Sequence, residues 1–143
     1  MKRPYLYRFQ TYGDDRGALT VADEIDMPFA VKRMFWVYDS KGKRGGHAHK
    51  ECEQVLVAIQ GEVKVTLLEG WQSDHVKLNE PDWALYVPPG VFIDYQMQEG
   101  AVLLVLCSHP HDPEDYVYSE AHERGKENAS AVRGSEATAR TGL

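Results

Sequence analysis

Two histidines two residues apart, His47 and His49, follow a basic glycine turn, Lys43-Arg44-Gly45-Gly46, and precede an apolar run from Val55 to Ile59 that Gly61 closes. On an extended strand residues i and i+2 face the same side. The pair therefore puts two imidazoles, which titrate close to neutral pH, on one surface with cations beside them. Such an arrangement suits proton transfer inside a structured site better than a solvated turn. Arg16, Arg33, Arg44 and Lys50 can supply a local positive pocket for one small anionic ligand, although the chain carries a net charge of -6. That negative balance argues against a nucleic-acid partner, whose phosphates call for a positive surface.

The elements that must position these residues are strands. A chain of 143 residues suggests one domain. It contains no apolar run of roughly 18 residues that would span a membrane, and its first residues turn polar too soon for a signal peptide, which predicts a cytoplasmic protein. Cys52 and Cys107 read as reduced thiols packed in the interior. Strand-like segments run from Tyr5 to Thr11, Ala18 to Val21, Val31 to Tyr38, Val55 to Ile59, Val63 to Leu68, His75 to Leu78, Trp83 to Val87, Val91 to Met97 and Ala101 to Cys107. Gln60-Gly61-Glu62 reads as a hairpin link, and Met34, Trp36 and Tyr38 share a face that would carry Tyr38 toward the histidines. Regular short strands with glycine and proline turns predict an all-β sandwich or barrel. The segment from Pro113 to Glu123 suggests a short helix or extension at the C-terminal end of a folded domain of residues 1–124. Residues 125–143 have the composition of a disordered tail.

His47, His49 and Glu53 match the HxHxxxE spacing with which cupin barrels begin a metal site. The second cupin motif, PxG followed by a histidine, reaches Ile93 after Pro88-Pro89-Gly90, and isoleucine is no ligand. His75, His109, His111 and His122 lie outside that motif. The residues therefore favour a cupin-like barrel whose histidines do acid–base chemistry with no metal and no cofactor.

Arg44-Gly45-Gly46-His47-Ala48-His49-Lys50, with Gln54 and Gly61 after it, resembles the RGxHAHK signature of the sugar-nucleotide 3,4-ketoisomerases. The likeness extends to Asp14–Leu19, to Phe35–Tyr38, to Leu85–Pro89 and to Asp115-Tyr116, and spans roughly residues 5–123. It implies a cupin-type jelly roll, a homodimer, and metal-free transfer of the ketone of thymidine diphosphate (dTDP) 4-keto-6-deoxyglucose from C4 to C3 through an enediolate. By this resemblance His49 is the base and His47 its partner or shuttle. Tyr38 donates to the developing oxyanion, Arg44 neutralises it or a phosphate, and Gln54 orients a histidine or the sugar. Arg16, Arg33 and Lys50 are further candidates for substrate contact. Simple alternation would put Glu53 rather than Gln54 on the histidine face, and a bulge or turn after Lys50 would reverse that. Phe92, Ile93 and His111 depart from the family pattern beside the expected sugar pocket and bear on the product's stereochemistry. A sugar-nucleotide 3,5-epimerase, a metal-dependent cupin enzyme and a non-catalytic sugar-binding cupin are the alternatives.

Overall fold

The computed structural model describes residues 2–118. Its strands are β1 (Tyr5–Arg8), β2 (Gln10–Asp14), β3 (Gly17–Val21), β4 (Arg33–Val37), β5 (Lys43–His49), β6 (Gln54–Gln60), β7 (Val63–Glu69), β8 (Gln72–Leu78), β9 (Trp83–Val87), β10 (Phe92–Met97), β11 (Val102–Cys107) and β12 (Tyr116–Tyr118). They form two five-stranded sheets, ordered β1-β9-β6-β11-β4 and β12-β5-β10-β7-β8, while β2 and β3 pair with each other alone. From β4 onward the chain passes back and forth between the sheets, the winding of a jelly roll. Among the described residues no helix is long and apolar enough to cross a membrane.

Strand alternation builds the core. Leu56, Ala58, Leu85, Leu103 and Val105 of the first sheet meet Val63, Val65, Leu67, Ile93 and Tyr95 of the second. Leu56 and Leu103 are wholly buried, and each such side chain stabilises the fold by about 2 kcal/mol. The opposite face of the first sheet is covered in part, since Phe9, Met27 and Phe29 pack over Val55, Val57, Tyr86 and Leu106. That cover explains the unbroken apolar character of β11, which is buried on both faces.

Three local expectations change. Gln60-Gly61-Glu62 is not a hairpin: β6 and β7 belong to different sheets, and the link is a corner where Gly61, at φ +72°, backs closely on Ala101. The hairpin is β7–β8, turning at Gly70. The segment Tyr5 to Thr11 divides into β1 and β2 around the buried Phe9. After Asp112 the chain makes one 3-10 turn, Pro113–Asp115, and continues as β12, so the segment begins as turn and strand; residues 119–123, where a short helix would end it, and the tail expected over 125–143 lie outside the described residues.

Opposite β10, Ile93 pairs with His47 and Asp94 with Gly45, so Gly46 is the extra residue of a β-bulge. Arg44 pairs with the inward-facing Tyr95, and His47 with the inward-facing Ile93. The bulge thus turns two side chains three residues apart onto the same inner face, which a regular strand would forbid. Only glycine fits at 45, because φ is +95° and an added Cβ would lie 2.6 Å from the Ile93 carbonyl oxygen. Gly45→Ala should lower stability by about 1–3 kcal/mol in urea unfolding; unchanged stability would show that the bulge carries no such constraint.

Candidate active site

The histidines lie on β5 facing into the barrel, 5 % and 6 % exposed. Their rings meet edge to face with centroids 5.3 Å apart. Beside them β12 brings Tyr116 opposite His49 and Tyr118 opposite His47. Tyr116 packs 4.5 Å from the His49 ring and 5.0 Å from that of His47, and it stacks on Tyr118. The His111 ring lies 5.7 Å from Tyr116, and the Ile93 side chain faces inward beside His47.

His49 is oriented by a carboxylate. Its Nδ1 lies 2.8 Å from Asp115 Oδ2. Asp115 also accepts hydrogen bonds from the backbone amides of Glu51 and Cys52, and its own carbonyl accepts from Lys50. Burial alone would raise the Asp115 carboxyl, but these amides and the His49 ring outweigh it and hold the group below its ordinary value. An ionised Asp115 accepts from Nδ1–H, which leaves Nε2 with the lone pair. Nε2 is buried and has no hydrogen-bond partner among the described residues.

The first sheet supplies the facing wall. Arg33, Cys107 and Gln54 lie side by side across β4, β11 and β6. Arg33 stacks over Phe35, with its guanidinium carbon 4.8 Å from the ring centroid, and its charge lies close enough to the Tyr116 hydroxyl to favour the phenolate form. Burial raises Tyr116 and Arg33 partly offsets that rise, so the phenol remains protonated. Gln54 is buried and its amide reaches Cys107 Sγ at 3.7 Å. The hydrogen bond from Cys107 lowers the Cys52 thiol against burial and raises Cys107 in the same direction as burial. Arg44 faces inward beside Tyr95, and its Nε is buried without a hydrogen-bond partner among the described residues.

Of the residues singled out in the sequence, His47, His49, Arg33 and Gln54 thus gather at one end of the barrel, with Arg44 further along the same face. The others lie elsewhere in the single chain. Tyr38 shares the outer face of β4 with Met34 and Trp36, all three more than half exposed, because Phe35 and Val37 take the inner positions. Lys50 directs its side chain to the exterior. Arg16 sits at the β2–β3 turn in an ion pair with Asp14. Glu53 points away from the histidines, where its carboxylate binds Lys2 and accepts from the Tyr86 hydroxyl. HxHxxxE is therefore not a ligand set, and the turn between β5 and β6 is what puts Gln54 inside. Asp115 and Tyr116 were visible only as a terminal Asp-Tyr pair, since their role depends on a strand that closes 66 residues after His49.

The family model for FdtA, described as "WxcM-like, C-terminal", matches residues 2–124. The TDP-4-oxo-6-deoxy-alpha-D-glucose-3,4-oxoisomerase of Aneurinibacillus thermoaerophilus is 37% identical over 116 residues, covering 78% of this chain and 84% of that protein. The sugar 3,4-ketoisomerase QdtA of Thermoanaerobacterium thermosaccharolyticum, solved with TDP, superposes with a TM-score of 0.79 at 33% identity, over 88% of this chain and 96% of that one. A histidine-to-asparagine variant of QdtA, solved with TDP-4-keto-6-deoxyglucose, gives a TM-score of 0.79 at 31% identity, over 93% of this chain and 98% of that one. By these matches the chain belongs to the FdtA family of WxcM-like, C-terminal proteins, whose relatives include sugar 3,4-ketoisomerases.

Proposed function

We propose that this chain moves the ketone of dTDP-4-keto-6-deoxyglucose from C4 to C3, with His49 as the base. The observation that carries the proposal is the buried, unpartnered Nε2 of His49, whose lone pair is set by the bond from Nδ1 to Asp115. Nε2 takes the proton from C3 while the C4 oxygen gathers charge, giving an enediolate. The same imidazolium then returns a proton to C4. The reaction balances when the O3 proton passes to O4 and the C3 carbonyl forms. His47, edge-on to His49, is placed to shuttle that second proton. Arg33 and Tyr116 form the donor pair nearest the histidines and suit the oxyanion, the duty expected of Tyr38. Arg44 and Gln54 complete the inner polar surface, available to the sugar or a phosphate.

His111 and Ile93 flank the histidine pair, so these departures from the family pattern bear on which face of C4 receives the proton. A metal-dependent reaction loses support from the outward turn of Glu53 and from Ile93 in the inner wall. An epimerase would also abstract a sugar proton, but its product keeps the 4-ketone.

The assembly we infer is a homodimer. Strands β1 and β4 are open edges of the first sheet, Met34 and Trp36 stand exposed on β4, and the β2–β3 hairpin, with Tyr12 and Leu19 exposed, pairs with neither large sheet. Arg16 and Tyr38 lie on these same outer features, so a partner subunit is the means by which either would reach a ligand.

Incubation with dTDP-4-keto-6-deoxyglucose in deuterated water should give a 3-keto product with any deuterium at C3 or C4. His49→Asn should reduce turnover about 100- to 10,000-fold while nucleotide affinity survives; wild-type turnover in a folded His49→Asn protein would remove His49 from the mechanism. A retained 4-ketone with inverted carbons would indicate the epimerase, and binding without exchange the sugar-binding cupin.

Asp115→Asn should lower kcat about 10- to 100-fold with little change in KM, because an amide can donate to Nδ1 and impose the wrong tautomer. The same variant tests the carboxylate's part in stability. A depressed native value contributes stability above about pH 4 that is lost as pH falls through it, so the wild type should destabilise more steeply in acid than Asp115→Asn. Equal acid limbs, with equal kcat, would leave Asp115 without either role.

Sedimentation at micromolar concentration should give about twice the chain mass of 16.2 kDa. A clean monomer would count against the dimer.

A further inference from the structure

The proposed reaction uses Nε2 of His49 and leaves the chemistry behind its other nitrogen unassigned. There, His49 Nδ1, a carboxylate oxygen of Asp115 and Cys52 Sγ all lie within 4.8 Å of one another. Cys107 packs near Cys52 in the core but lies outside that group. His49, Cys52 and Cys107 are buried, and Asp115 closes the group with the 3-10 turn that precedes β12.

One sulfur, one imidazole nitrogen and one carboxylate oxygen are three donors for a tetrahedral, thiophilic dication, with solvent in the fourth position. Zinc takes sulfur at about 2.3 Å and nitrogen or oxygen at about 2.0–2.2 Å. Hard ions such as Mg2+ and Ca2+ prefer all-oxygen sites. This set differs from HxHxxxE, which would use His47 and Glu53.

We infer that this cluster is an inhibitory site for Zn2+ or a similar thiophilic cation, bound through His49 Nδ1, Cys52 Sγ and Asp115. Coordination releases the Nδ1 proton and the Cys52 thiol proton to solvent, with no change of oxidation state. A neutral imidazole bound to metal through Nδ1 carries its proton on Nε2. In that form it cannot accept a proton from C3. Binding does not depend on the proposed reaction, but the inhibition rests on His49 being its base.

The test uses the full chain, stripped with a chelator and held in a phosphine reductant so that the thiols stay free. The stripped protein should turn over at the full rate. Co2+ should then bind one per chain with a thiolate-to-cobalt absorption band, and Zn2+ should displace it and abolish turnover until chelator is restored. Cys52→Ser, checked for folding by thermal unfolding, should keep turnover, lose the band and need at least roughly tenfold more Zn2+ for inhibition. Cys52→Ala provides a second variant and should behave in the same way.

Absence of the cobalt band in the wild type overturns the site, whatever His49 does. Equal zinc sensitivity in Cys52→Ser overturns it as well. A band accompanied by undiminished turnover overturns the blockade, and the rate of His49→Asn then shows separately whether the base assignment falls with it.

Discussion

The carboxylate of Asp115 is the tie on which the site depends. It binds the amides of Glu51 and Cys52 and the Nδ1 of His49, while the Asp115 carbonyl takes the amide of Lys50. These contacts hold the turn between β5 and β6 against the short segment that leads into β12. Three consequences come from one side chain: the His49 ring has a set orientation, its tautomer leaves Nε2 as acceptor, and the turn delivers Gln54 rather than Glu53 to the interior. A half-buried carboxylate would be costly alone, and its lowered pKa reflects amides and a ring that more than offset its burial.

The second constraint is the phase of β5. A regular strand alternates faces, so Arg44 and His47 would oppose each other. The bulge at Gly46, next to a glycine whose Cβ would strike the Ile93 carbonyl, adds the residue that brings both inward. The basic glycine turn is therefore part of the strand's geometry and not merely a loop before it. Arg33 of β4 and Tyr116 of β12 come close across the barrel, one from each sheet, beside the histidines.

The outer surface follows a different logic. β11 is apolar on both sides because Phe9, Met27 and Phe29 fold over the first sheet, yet that cover stops short of Met34 and Trp36. The free-standing hairpin and the exposed strand β4 leave apolar groups in water that a partner subunit would cover. In the single chain Tyr38 belongs to this outer surface, and the phenol beside the histidines is Tyr116.

The strand succession was legible in the sequence because period-two patterns and glycine or proline turns are local signals; β9, β10 and β11 fall within a residue of the segments expected for them. The histidine pair was legible for the same reason, since i and i+2 share a face on any strand. Which face of β4 turns inward was not legible, because Met34, Trp36 and Tyr38 are as apolar as the alternative set and only the opposing sheet chooses between them. The pairing of β6 and β7 was misjudged because a glycine corner between sheets and a hairpin use the same residues. Asp115, Tyr116 and the Cys52–Cys107 contact depend on closure between segments more than 50 residues apart, and no local pattern encodes such a distance. The chain's residues determined which groups could move a proton; the meeting of β5, β6, β11 and β12 decided which nitrogen is free to do it.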